Sequence, residues 1–257
     1  MTKQTEHQHF EEKTALEHLK DARRRGQQAS ESVHGAEPSG SMIAATDAAR
    51  EVAVFLALLW ILLTPLHLNV IQTLLLMGLF SLGLLIWKTS RSAFLGWSRL
   101  ERVHRLINQE KWEIEHHRAQ EKEELLELYK AKGFKDKQLE EVVEVLMADD
   151  NRLLQIMLEE ELGLSLGSFE HPLKQCIGAF TGVAISAFLC LGGMWVAGSI
   201  GMGVAVFAAI FTSSLLMAKY LGNDKIKSIV WNFAISVLSL AVTYFLFKAI
   251  LTSYKLL

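Results

Sequence analysis

The stretch Val52-Ala-Val-Phe-Leu-Ala-Leu-Leu-Trp60-Ile-Leu-Leu-Thr64-Pro65-Leu66-His67-Leu68-Asn69-Val70-Ile-Gln-Thr-Leu-Leu-Leu-Met-Gly-Leu-Phe80-Ser-Leu-Gly-Leu-Leu-Ile-Trp87 decides the fold. It runs for 36 residues without an Asp, Glu, Lys or Arg, whereas a single helical crossing of a bilayer takes roughly 20. Thr64-Pro65-Leu66-His67-Leu68-Asn69 stands near its middle, and the proline ends a helix there. The stretch therefore predicts a tight hairpin of two membrane helices. The first runs from about residue 43 to 65, with Ala44, Ala45, Ala48 and Ala49 helical, and the second from about 69 to 88.

A second apolar block covers 173 to 250 and divides at Gly192-Gly193, Gly198 and Gly201, then at Gly222-Asn223-Asp224-Lys225. It predicts three more spans, five in all. A chain that is 51% hydrophobic yet 21% charged must segregate the two characters, and the charge falls in 1–51 and 88–171. The expected fold is thus an all-α membrane protein of five transmembrane helices with a three-helix, Glu-rich, water-exposed insert between the second and third. The expected domains are an N-terminal helix and linker (1–41), a transmembrane hairpin (42–88), the insert (89–171) and helices three to five (172–257). The lipid bilayer is the first partner. The net charge of −2 is an average over these blocks, and no basic patch with interleaved aromatics points to nucleic acid.

Orientation follows from Lys and Arg in the short loops. Arg23 to Arg25 precede the first span, Arg91, Arg99 and Arg102 follow the second, and Lys219, Lys225 and Lys227 flank the turn between the fourth and fifth. The N-terminus and the insert are expected in the cytoplasm and the C-terminus outside. The N-terminal segment lacks the apolar core of a secretion signal, so the first span is expected to serve as the insertion signal. Residues 10–26 form a helical pattern that either lies on the membrane surface or packs on the insert, and 27–41 read as a linker. Cys176 and Cys190 read as packing residues of the third span. The stripes Gly178, Gly182, Ser186 and Gly201, Ala205, Ala209, Ser213 are expected seams between helices.

The chemistry sits in the insert, whose expected helices are 88–131, 136–149 and 151–162, the first two separated by Gly133. Glu110, Glu113, His117, Glu121 and Glu124 follow at spacings of three, four, four and three, which places them within an arc of roughly 80° on one helix. Aligned carboxylates repel, and only Glu121 has a basic neighbour at helical spacing, Arg118. A wetted acidic face is the ordinary meaning of such a run. A divalent cation is the alternative counterion, and Met157 and Glu161, one turn apart on the third helix with Glu160 beside them, favour it. A thioether among carboxylates suits Fe2+ better than Ca2+ or Mg2+, with Mn2+ and Zn2+ as further candidates. Glu113-Ile-Glu-His116 has the Glu-x-x-His spacing of di-iron sites, but no second such motif accompanies it, and no enzyme is expected.

The insert resembles the cytoplasmic metal-binding domain of the vacuolar iron transporter family. The resemblance is carried by Glu110-Lys-Trp-Glu113, Glu121-Lys-Glu-Glu124, Tyr129-Lys-Ala-Lys-Gly133, Met157-Leu-Glu-Glu-Glu161-Leu-Gly163-Leu164 and the Pro172 that opens the third span. It implies that Glu110, Glu113, Glu121, Glu124, Met157 and Glu161, with His117 and Glu160 as additional members, bind iron as substrate. It further implies five spans, a homodimer and exchange of metal for protons. The expected function is proton-coupled export of Fe2+ from the cytoplasm, the alternative a membrane-anchored metal binder or sensor without flux. A bacterial inner membrane is favoured over a vacuolar one.

The sequence departs from that family where cargo would cross. The Asp-Gly pair of the first span and the Gly-Glu-Tyr of the second are missing, the second span ends Trp87-Lys88, and position 158 is Leu rather than Glu. Transport through hydrocarbon normally requires ionisable groups at membrane depth. Asp47 and Glu51, one turn apart at the start of the first span with Arg50 beside them, are the expected pathway residues.

Overall fold

The computed structural model describes residues 17, 19–21, 40–164 and 171–253, and every regular element among them is helical. The expected linker and most of the N-terminal helical pattern, with Arg23 to Arg25, lie outside the described residues. In chain order the helices are α1 (Ser41–Leu63), a 3-10 turn (Thr64–Leu66), α2 (Val70–His116), α3 (Arg118–Ala131), α4 (Asp136–Met147), α5 (Asp150–Ile156), a π turn (Met157–Glu161), α6 (Pro172–Leu221) and α7 (Lys225–Ser253). They group into two compact units: α1, α2 as far as Gly96, α6 and α7 form one, and α2 from Trp97 with α3, α4, α5 and the π turn forms the other.

The helix break predicted at Pro65 is present. Pro65 sits in the 3-10 turn, His67 takes the left-handed conformation (φ 50°), and Asn69 and Gln72 form a reciprocal cap. The Gln72 amide donates to Asn69 Oδ1 at 2.8 Å and the Asn69 amide to Gln72 Oε1 at 3.1 Å, satisfying two donors at the start of α2. Gly222 (φ 72°) closes α6 where the Gly222-Asn223-Asp224 turn was expected, and Asp224 caps α7 by accepting the Lys227 amide at 3.1 Å.

Among the described residues, four helices are long and apolar enough to cross a membrane: Ser41–Leu66, Val70–His116, Pro172–Leu221 and Lys225–Ser253. The third holds 50 residues. Straight, it would be about 75 Å long, against roughly 30 Å of hydrocarbon. It is not straight, because Ala197 (φ −132°) and Gly198 (φ 57°) leave helical geometry at the expected glycine break. The two limbs then run so close that a Cβ at Gly193 would stand 2.5 Å from the Gly201 carbonyl oxygen. The chain is an integral membrane protein.

The core of this unit is the α1 to α6 contact. Ala44, Ala48, Val52 and Leu56 bury against Ala179, Val183, Cys190, Met202, Val206 and Ile210, and Met77 joins them from α2. The first small-residue stripe is a seam within the chain: a Cβ at Gly178 or Gly182 would lie 2.9 Å from the Cα of Ser41 or Ala45. Cys190 packs in this core, as read from the sequence.

The insert differs from expectation in two ways. Its first helix is not a separate element from 88 to 131, because α2 continues without interruption to His116 and the break falls at His117 (φ −127°, ψ 36°). Nor is its acidic stripe a water-exposed face. Glu110, Glu113, Glu121 and Glu124 are all buried, since apolar side chains on α4, α5 and the residues after them close over them. One cluster joins Ile114 and Leu125 to Val143, Leu153 and Met157, and another joins Leu106 and Ile107 to Leu158, Leu162 and Leu164.

Candidate metal centre

The carboxylates arrive from three segments. The last turns of α2 supply Glu110 and Glu113, the first turns of α3 supply Glu121 and Glu124, and the π turn supplies Glu161. A π turn adds a residue to one helical turn and so re-aims the side chains after it. Here the Leu162 amide bonds the Met157 carbonyl at 3.2 Å, and Gly163 (φ 66°) lets the Leu164 amide close on the Leu158 carbonyl at 2.8 Å. That closure seats Leu158 and Leu164 in the apolar wall while Glu161 joins the carboxylates, 3% exposed.

Glu110, Glu121 and Glu161 converge, offering one carboxylate oxygen each within 4.8 Å of one another. Glu121 and Glu124 have no solvent exposure. Burial, followed by the charges of Glu110, Glu124 and Glu113, pushes the Glu121 carboxyl up to about 10. Burial likewise raises Glu161, reinforced by Glu110, Glu124, Glu121 and Glu113 in that order. Glu113 and Glu124 are thus near enough for their charges to bear on both. Gln109 Nε2 donates to Glu113 Oε1 at 3.0 Å, a contact that the spacing of charges could not reveal.

In a low-dielectric interior such a cluster is stabilised by keeping protons, by hydrogen bonds and cationic side chains, or by surrounding a metal cation. Oxygen donors on three segments can close around an ion without further backbone movement. Met157, fully buried at the start of the π turn, adds the only thioether among the residues expected to bind metal.

Other expected residues stand apart. His117 occupies the break between α2 and α3, edge-on to Trp112 at 5.4 Å. Glu160 is half-buried and ion-paired with Lys132. Arg118 is engaged elsewhere, with Asp150 at 2.6 Å and with the Met147 carbonyl, so it does not relieve Glu121. The Glu113-x-x-His116 spacing forms no shared site, since Glu113 is buried whereas His116 is exposed and stacked on Trp112 at 4.5 Å. In the membrane unit, Asp47 pairs with Arg50, and Glu51 with Lys88 of α2. The sequence reading missed Lys88 as a partner. Its signal was a lone lysine ending an apolar run opposite a lone glutamate.

Fold and site together define a class: an integral membrane protein that carries, in the second of its two compact units, a buried carboxylate cluster able to hold a metal cation. Comparison with known proteins is consistent with this. A sequence model of the VIT family matches residues 92–248, and the chain belongs to that family. It is 31% identical over 134 residues to a protein of Toxoplasma gondii (strain ATCC 50861 / VEG) named "Vacuolar iron transporter", an alignment that takes in 46% of this chain. The chain spans only 44% of that relative's length. No solved structure matches.

Proposed function

We propose that the chain transports a divalent metal ion, Fe2+ first, with Mn2+ and Zn2+ as further cargoes, out of the cytoplasm in exchange for protons. The observation that carries this reading is the convergence of Glu110, Glu121 and Glu161 in a buried pocket of a family member. In this reading the insert captures cargo through those three groups, with Glu113, Glu124 and Met157 beside them, and the break at Ala197 and Gly198 divides α6 into two spans, five in all. The insert and N-terminus face the cytoplasm, the C-terminus lies outside, and two chains form a homodimer, in a bacterial inner membrane ahead of a vacuolar one. The domains are those read from the sequence. Asp47 and Glu51 line the pathway.

A second reading, metal binding without flux, is favoured by one observation: both pathway carboxylates are ion-paired within the chain. Fe2+ uptake by proteoliposomes under an imposed proton gradient separates the two. Transport predicts flux in the intact chain that falls at least about tenfold on replacing Glu110, Glu113, Glu121 and Glu124 by Ala, and again in Asp47→Ala. Calorimetric Fe2+ binding with no flux in the intact chain would refute transport and leave the tethered binder.

A further inference from the structure

Metal-type donors recur in the membrane unit, and there the chain's own cations hold them. Asp47 and Glu51 stand one turn apart on α1, and Met217 stands in the last turns of α6. Arg50 bonds the Asp47 carboxylate and directs Nη1 to Met217 Sδ at 3.6 Å. The Lys88 ammonium, reaching across from α2, bonds the Glu51 carboxylate. Each of the two carboxylates thus meets a cationic side chain, and a thioether turns toward one of those cations.

Lys88 is the unusual member. A lysine that ends an apolar run normally stretches its stem and keeps its ammonium in water. Lys88 is only 5% exposed and is held inside the bundle, while the Glu51 side chain it meets keeps 34% of its surface. The buried partner is the cation, and the carboxylate is the one open to an arriving ion. A dication that reached Glu51 with Lys88 in place would meet a site already neutralised, with a positive charge behind it. Like charges at contact distance in a poorly solvated site are strongly unfavourable.

We infer that Lys88 is a tethered counter-cation that occupies Glu51 in competition with a divalent metal ion, so that metal gains this carboxylate only when the ammonium withdraws. The inference rests on the reading that a divalent cation reaches Glu51, and it supplies a regulation of that site which the buried cluster of the insert does not share. Lys88 is a positioning residue here. It sets the availability of Glu51 and does not itself touch the metal.

The test is equilibrium Mn2+ binding, read from the electron paramagnetic resonance signal of unbound Mn2+, to the full chain in detergent. The background carries Glu110→Gln, Glu113→Gln, Glu121→Gln, Glu124→Gln and Glu161→Gln so that the insert's carboxylates are silent. Adding Lys88→Met is expected to tighten Mn2+ binding at the membrane site by about tenfold or more, the size of an ordinary coupling between sites. Adding Glu51→Gln as well should abolish the gain, and Lys88→Arg, which keeps the charge, should show none. Binding unchanged by Lys88→Met, or a gain that survives Glu51→Gln, overturns the inference. So does aggregation of both Lys88→Met and Lys88→Gln while Lys88→Arg stays folded, because Lys88 would then be a structural staple. Absence of Fe2+ flux in the unmodified chain would refute transport and leave this binding result to stand or fall by itself.

Discussion

Replacing Glu121 by Gln should stabilise the metal-free insert near neutral pH, an outcome opposite to that of most buried substitutions. The folded carboxyl holds its proton to about 10, against 4.5 in the ordinary state. Because the folded value lies above the unfolded one, the folded chain binds the extra proton. This group's contribution is fully present below about 4.5 and is lost as pH rises toward about 10. At pH 7 the unfolded chain has already released a proton that the folded chain must keep. The cost is about 1.4 kcal/mol for each of some 2.5 pH units, or about 3 kcal/mol. Gln has nearly the same volume, carries no proton to lose and removes that cost. The expected gain is therefore about 3 kcal/mol at pH 7, near zero at pH 4.5, and larger by about 1.4 kcal/mol for each further pH unit. Hydrogen exchange read by mass spectrometry on peptides of 106–164, in the full detergent-solubilised chain with chelator present, measures it. A loss of protection in Glu121→Gln at pH 7, or a gain equal at pH 5 and pH 8, would refute the reasoning. Added Fe2+ should reverse the order, protecting the unmodified chain by more than the variant, since a ligand stabilises only the state that binds it.

Mn2+ binding to the insert should release protons, at least about one per ion at pH 7, so that affinity rises between pH 6 and pH 8. Calorimetry in buffers of different ionisation enthalpy counts them, and zero release would contradict the protonated cluster. Gly182→Val should disrupt the α1 to α6 seam, because a Cβ there would press within 2.9 Å of the Ala45 Cα. A loss of the monodisperse peak in detergent chromatography is the expected sign, and normal yield would refute the close packing. Leu158→Ala, at a side chain 1% exposed, should cost about 2–4 kcal/mol of insert stability in the same exchange experiment. Arg118→Ala, breaking a pair whose two side chains are 46% and 68% exposed, should change insert stability by well under about 1 kcal/mol.

What could be read from the sequence, and what could not, follows from the range of the forces involved. The helix breaks at Pro65 and Gly198 and the turn at Gly222 were legible because each depends on a few adjacent residues and on the uninterrupted hydrophobicity around them. The acidic stripe was legible as a set of residues sharing one face, and its burial was not. Periodicity within one helix reports which side chains share a face, and whether that face meets water depends on what folds over it. The cover here comes from Val143 and Leu153 to Leu164, as many as 54 positions beyond Glu110. The π turn that carries Glu161 to Glu110 and Glu121 has no spacing signature of its own. Lys88 illustrates the same limit from the opposite side. Its position 37 residues after Glu51 follows from the length of the hairpin, since two antiparallel limbs return the chain to the level from which it started. The ion pair could therefore have been inferred from the return of the chain after the turn, had the lysine been read as the answer to a carboxylate instead of as a departure from a pattern.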